Sequence, residues 1–84
     1  MAGTADAVRA AMMAQLVQRL DAMTDDRRYG ELPRGAVLER LSNGAALFSI
    51  PGRDEGVWLP YSQLRELDGE VYASNWVMEQ KGID

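Results

Sequence analysis

Six carboxylates, Asp54, Glu55, Glu66, Asp68, Glu70 and Glu79, fall between residues 54 and 79, mostly at turns. Side chains of this type hold hard cations through oxygen ligands, or work as acid and base when two of them converge in a cleft. Their spacing matches no EF-hand loop, and nothing in the sequence brings a pair into one pocket. Neither a metal site nor carboxylate catalysis is expected. The chain has no histidine and no cysteine. The commonest general base, the commonest metal ligand, thiolate zinc sites and cysteine nucleophiles are therefore missing, as are disulfides. Gly52 and Gly56 share a turn, but no lysine followed by serine or threonine and no helix start accompany them, so a phosphate loop has no support. The expectation is a non-enzyme without a cofactor.

Aromatic residues offer a second kind of chemistry. Trp58, Tyr61, Tyr72 and Trp76 are of the type that stacks on bases in single-strand binders. Their neighbours are acidic where a backbone-tracking groove is basic, and aromatics at alternate strand positions usually fill a core. An acidic, aromatic-bearing surface suits the basic groove of another protein better, since complementary charge speeds encounter and buried anchors supply affinity. Asp54, Glu55, Tyr61, Glu66, Asp68 and Glu70 are the candidate partner-binding residues, the carboxylates facing Arg or Lys of the partner. Asp25, Asp26, Arg27 and Arg28 read as solvated charges.

The elements that position these groups must fit into 84 residues, with 46% apolar residues and a formal charge of −4 from 9 basic and 13 acidic residues. That is one domain with one core, on the globular side of the disorder boundary. Its stability is modest unless a partner or a second copy covers more surface. Net negative charge disfavours direct nucleic-acid binding, which needs cations to displace counterions. The N-terminal residues are periodic and carry Asp6 and Arg9, unlike a secretory signal or a membrane span, so a cytoplasmic protein with no membrane contact is expected.

Val8, Met12, Leu16, Leu20 and Met23 recur at helical spacing behind Thr4 as N-cap, predicting a helix over about 4–24. Met13 and Val17 widen the apolar stripe to about half the circumference, more than one sheet requires, so either the small domain wraps the helix generously, the favoured reading, or part of the arc is free for a partner or for a homodimer through this helix. Arg9 inside the arc places the N-terminal end beyond the core. Residues 25–35 read as a loop, and residues 36–73 as sheet. AVLERLS and AALFSI flank Asn43-Gly44, the dipeptide of type I′ hairpin turns; VWL follows up to Pro60. SQLREL at 62–67 is readable as a capped helical turn or as a strand paired across Asp68-Gly69 with EVYA, and the strand is favoured. Ser74 or Asn75 caps a short helix over about 75–81, which Gly82 ends. The fold class is α+β: one long N-terminal helix packed on a 3–5 stranded antiparallel meander sheet, with a short C-terminal helix.

The strings VWLPYSQ, DGEV and NWVMEQKGI resemble the C-terminal module of small phage and mobile-element proteins, whose pattern runs approximately W-[IL]-P-x-S-Q, a short acidic stretch, and a terminal [PE]-W-[LI]-x-x-x-K-G-[LI]. Trp58, Leu59, Pro60, Ser62 and Gln63 carry the first word; Trp76, Lys81, Gly82 and Ile83 carry the second. Tyr61 stands where lysine is usual, and Asn75 where glutamate is common. The resemblance implies a phage accessory setting, and with it an anti-CRISPR inhibitor acting on a CRISPR effector in the host cytoplasm. The alternative is an accessory module binding single-stranded nucleic acid or a replication or recombination protein. Trp58 and Trp76 are expected to clamp the last helix to the sheet, with Ser62 and Gln63 satisfying backbone groups left open by Pro60.

Overall fold

The apolar period beginning at Val8 produces helix α1, Gly3–Arg19, in a computed structural model that describes residues 3–83, with side chains from Asp6 onward. Thr4 lies within this helix, and its side chain, expected as the N-cap, is outside the described residues. The helix ends sooner than the period does. Leu20 N–H closes the last turn on the Val17 carbonyl at 3.3 Å, and β1, Asp21–Ala22, then pairs in parallel with Arg65 and Glu66. Met23 N–H continues that pairing to the Glu66 carbonyl at 2.8 Å. Sheet pairing takes the backbone groups that a longer helix would have bonded internally. Leu20 is nonetheless buried and Met23 half-buried, so strand geometry brings inward the residues whose spacing had suggested a helix to residue 24. Leu16 is fully buried, whereas Val8 is 54% exposed and Arg9 exposed, which leaves the N-terminal end overhanging the core.

Six further strands and a short helix follow: β2, Tyr29–Glu31; β3, Val37–Leu41; β4, Ala45–Ser49; β5, Val57–Pro60; β6, Leu64–Leu67; β7, Glu70–Ser74; and α2, Asn75–Gln80. The α+β class stands as expected, but the strands divide between two sheets, ordered β3-β4-β5 and β1-β6-β7-β2. Pro60 and the 3₁₀ turn Tyr61–Gln63 make the division, because proline has no N–H to continue a ladder and the turn redirects the chain. β2 lies inside the stretch expected to be loop. It pairs Tyr29 with Ser74 and Glu31 with Tyr72 at the edge of its sheet, too short and too exposed to show an apolar alternation.

Residues 62–67 combine both readings, a single 3₁₀ turn running into β6, which pairs with β7 from Leu64↔Ala73 to Leu67↔Glu70. Asp68 at φ 51° and Gly69 at φ 82° form the left-handed pair that a type I′ turn requires. Asn43 and Gly44 do not, as neither has positive φ. The β3–β4 hairpin forms there, but Ser42 closes it: its hydroxyl accepts from the Ala45 amide at 3.0 Å and donates to the Ala45 carbonyl at 2.9 Å. A side chain that supplies the turn's bonds removes the need for the left-handed pair.

The two sheets and both helices bury one shared core. Ala46 and Phe48 of β4, with Ile50 just beyond, meet Val57 and Leu59 of β5, Leu64 of β6, Val71 and Ala73 of β7, and Leu16, Val77 and Ile83. Phe48, the only phenylalanine, is 1% exposed. Removing its ring should cost about 3–5 kcal/mol, a large share of the roughly 5–15 kcal/mol available to a small domain. Phe48→Ala is expected to lower the thermal midpoint by at least about 12 °C, read by circular dichroism. Trp76→Ala, at a side chain 60% exposed, should move it by only a few degrees, within about 0.5 kcal/mol; the opposite ranking would refute this packing.

Candidate functional site

The residues that bring the two motif words together are not the tryptophans. Ser74 is the N-cap of α2: its hydroxyl accepts from Val77 N–H at 3.0 Å and donates to Gln63 Oε1 at 2.6 Å. At the other end of α2, Ile83 N–H reaches the Met78 carbonyl at 2.8 Å and Gly82 N–H reaches Glu79 at 3.1 Å, with Gly82 at φ 67°. This is a Schellman motif, which explains lysine-glycine-isoleucine as a helix stop with an apolar residue beyond it. Arg53, unremarked in the sequence, donates to the Lys81 carbonyl at 2.6 Å and the Gly82 carbonyl at 3.2 Å and ties this end to the β4–β5 turn. Trp58 is 39% and Trp76 60% exposed, so the expected tryptophan clamp is replaced by a hydrogen-bonded joint and the buried Val77 and Ile83. Ser62 and Gln63 also differ from expectation, for Gln63 serves Ser74 rather than the backbone near Pro60. Along β5, Val57 and Leu59 take the inward face, and Trp58, expected in the core, takes the outward one.

The six partner-binding candidates lie in four surroundings. Tyr61 is half-buried, its hydroxyl donating to the Ser42 carbonyl at 2.5 Å beneath the Arg19 guanidinium, 6.0 Å from the ring centroid. It joins the 3₁₀ turn to the β3–β4 hairpin and the end of α1. Asp54 and Glu55 are exposed in the β4–β5 turn, and Glu66 is half-buried on β6. Asp68 and Glu70 are exposed at the β6–β7 turn of the other sheet. Glu70 lines a depression of about 380 Å³ together with Glu31, a residue the sequence reading passed over, and with Met13, Pro33 and Gly69. Glu31 joins this end through the register, since it stands opposite Tyr72 on β7. Among the described residues no three acidic side chains come close enough to hold a metal ion.

The depression continues onto α1. Met13 and Gly69 also border an apolar hollow of about 530 Å³, whose other walls are Ala10, Ala14, Val17 and Gln18. Met13 and Val17 are the residues that widened the helical stripe, and both remain half-buried. The resulting surface has a small apolar floor and an acidic rim of Glu31 and Glu70, which Asp68 extends through its place next to Gly69 in the turn. Ala10 and Ala14 escaped the sequence reading because alanine is equally at home on buried and solvated helix faces.

The rim leaves an electrostatic mark on Tyr72. Its partial burial, then the carboxylates Glu31, Glu70 and Asp68, hold the phenol above its ordinary value of 10.0. A raised folded-state pKa means that the folded protein keeps a proton which the unfolded chain has begun to lose. The contribution is complete below the unfolded value and is lost as pH rises through the folded one. Unfolding by urea at stepped pH should therefore show stability falling above pH 10 in the wild type and falling less in Tyr72→Phe; equal slopes would remove the acidic rim's influence on this face. Compared with protein families, with characterised proteins and with solved structures, the chain matches none.

Proposed function

We propose that the chain is a non-enzymatic inhibitor that seats a basic, partly apolar segment of a nucleic-acid-handling protein across α1 and the β6–β7 turn. One observation carries this reading: Met13 and Gly69 border both the apolar hollow and the carboxylate-lined depression, so the two form one continuous surface. An apolar floor supplies affinity by desolvation, and methionine adapts its shape to the occupant. Carboxylates at the rim steer arginine- and lysine-bearing surfaces into register. Proteins that grip DNA or RNA present such surfaces, and an occupant seated there competes with the nucleic acid. The resemblance of residues 57–83 to phage and mobile-element proteins supports a CRISPR effector as the target, which makes the chain an anti-CRISPR protein.

The test is plasmid interference in bacteria carrying defined CRISPR effectors, one effector at a time. The wild type is expected to restore establishment of a targeted plasmid with at least one of them. Removing the rim with Glu31→Lys, Asp68→Asn and Glu70→Lys, asparagine keeping the left-handed conformation at position 68, should reduce that protection at least tenfold while leaving the thermal midpoint nearly unchanged. Charge reversal at Asp54 and Glu55, on the other turn, should have a smaller effect. Protection retained in full by the rim variant, or absent against every effector, would sink the proposal. Light scattering at micromolar concentration is expected to give a monomer; a dimer dispersed by Ala14→Glu would assign the apolar floor to a second copy of the chain instead.

A further inference from the structure

We propose that a second depression, at the α2 end of the four-stranded sheet, is a nucleotide site that takes a base against Trp76 and a phosphate against Arg65, Arg27 and Arg28. It measures about 520 Å³ and is bounded by those four residues with Tyr29 and Gln63, among others, and by no carboxylate. That volume lies in the range of small-molecule clefts. The inference does not rest on the protein-partner reading, whose surface shares no lining residue with this one.

Arg65 is the fixed cation. One of its terminal nitrogens donates to the Ser62 carbonyl at 3.0 Å and the Leu64 carbonyl at 2.7 Å, and its guanidinium lies 5.1 Å from the centroid of the Tyr29 ring. Held by two carbonyls and one ring, it is half-buried, and among the described residues it has no carboxylate within 4.0 Å in a chain of 13 acidic residues. Its other guanidinium nitrogens make no hydrogen bond among those residues, so a planar set of N–H donors stays free for an oxyanion. Arg27 and Arg28 stand at the rim and share a single carboxylate, Asp25, at 3.5 Å and 3.6 Å. The cleft is thus locally basic within an acidic chain.

Trp76 supplies the flat surface. Its neighbour Val77 takes the inward side of α2, which leaves the indole in water beside the arginines. Gln63 accepts from Ser74 through Oε1, so its amide nitrogen, without a hydrogen bond among the described residues, is the donor available to a base edge. An indole face beside free guanidinium groups answers a planar base carrying a phosphate. Overall charge does not forbid this. Asp68 and Glu70 lie at the far end of the β6–β7 hairpin, Glu70 about 13 Å along β7 from Ser74, which exceeds the Debye length of about 8 Å at physiological ionic strength; the nearer carboxylates, Asp25 beside Arg27 and Arg28 and Asp21 opposite Arg65 in the ladder, do not line the cleft.

The test uses the full chain carrying Trp58→Phe, so that Trp76 alone reports by fluorescence. Adenosine monophosphate and a ten-nucleotide oligothymidylate are titrated at low salt, with inorganic phosphate as competitor. Quenching by the mononucleotide at least as strong per nucleotide as by the oligomer assigns a free nucleotide, and quenching by the oligomer alone assigns a single strand; either supports the site. For the oligomer, three arginine contacts predict a log–log salt slope of about −2, at roughly 0.7 per contact. Arg65→Gln should weaken binding about tenfold, and so should Arg27→Gln with Arg28→Gln, whose exposed side chains leave folding intact. A labelled oligomer or nucleotide, followed by anisotropy, should lose about tenfold against Trp76→Ala. No quenching by either probe, affinity unchanged in the rim double variant or in Trp76→Ala, or displacement by phosphate as effective as by the mononucleotide would overturn the proposal.

Discussion

The C-terminal third is organised by one buried hydroxyl. Ser74 ends β7 and begins α2, and its oxygen is bonded in both directions, to the Val77 amide within the helix and to Gln63 on the neighbouring 3₁₀ turn. A buried hydroxyl without those partners is costly, so the two bonds together restrict where α2 can start and which way it points. Val77 then turns inward, Ile83 closes the core, and Trp76 has no direction left but outward. Gly30 allows the same joint to close from the β2 side: a Cβ there would lie 3.3 Å from Asn75 Oδ1, while Asn75 Nδ2 donates to the Arg27 carbonyl at 3.0 Å. The edge strand, the final helix and the arginine-bearing turn are therefore set by one small hydrogen-bonded node.

Charge is distributed along the hairpin that this node terminates. The β6–β7 turn carries Asp68 and Glu70, with Glu31 brought alongside by the pairing of β2, and the opposite end carries Arg27 and Arg28, with Arg65 lining the same cleft. Between the two ends a cross-strand row, Glu31–Tyr72–Arg65–Asp21, crosses the sheet, so Arg65 stands in the ladder between the poles with a carboxylate towards either edge. The formal charge of −4 averages over both poles and describes neither. Net charge governs solubility and distant steering, whereas binding responds to groups within about a Debye length.

How far the sequence is legible follows from which forces act locally. The hairpin at Asp68-Gly69, the Ser74 cap and the Gly82 stop are set by a few adjacent residues, and all three are readable in advance. The end of α1 is not, because Leu20 and Met23 serve a helix or a strand equally and only the distant β6 decides between them. Asn43-Gly44 misleads for a related reason: Ser42, one residue earlier, supplies the turn's hydrogen bonds itself. β2 is invisible because three edge residues bury too little to leave a pattern. Of the site, the broad arc of Met13 and Val17 and the acidic residues Asp68 and Glu70 are readable, but their meeting through Gly69 is a tertiary fact. The arginine cleft is harder still, since Arg27 and Arg28 are separated from Arg65 by more than thirty residues, and in sequence they look like any solvated charges.

The tryptophans show why burial cannot be inferred from residue type alone. An indole is among the largest apolar surfaces a chain can remove from water, and a small domain has few other ways to gain stability. Yet this core is built from Phe48 and aliphatic side chains, with Ala46 and Ala73 at positions where layers approach closely. A larger ring at either position would overfill a space already occupied by its neighbours. Trp58 therefore takes the outward side of β5, opposite Leu47 in the ladder, and Trp76 the outward side of α2. For Trp58 the strand's alternation and its partly buried neighbour Leu47 account for the placement. Trp76 has no such packing role, and its indole forgoes most of the burial open to it beside three guanidinium groups. That unused surface sets it apart from the ordinary exposed residues of the chain.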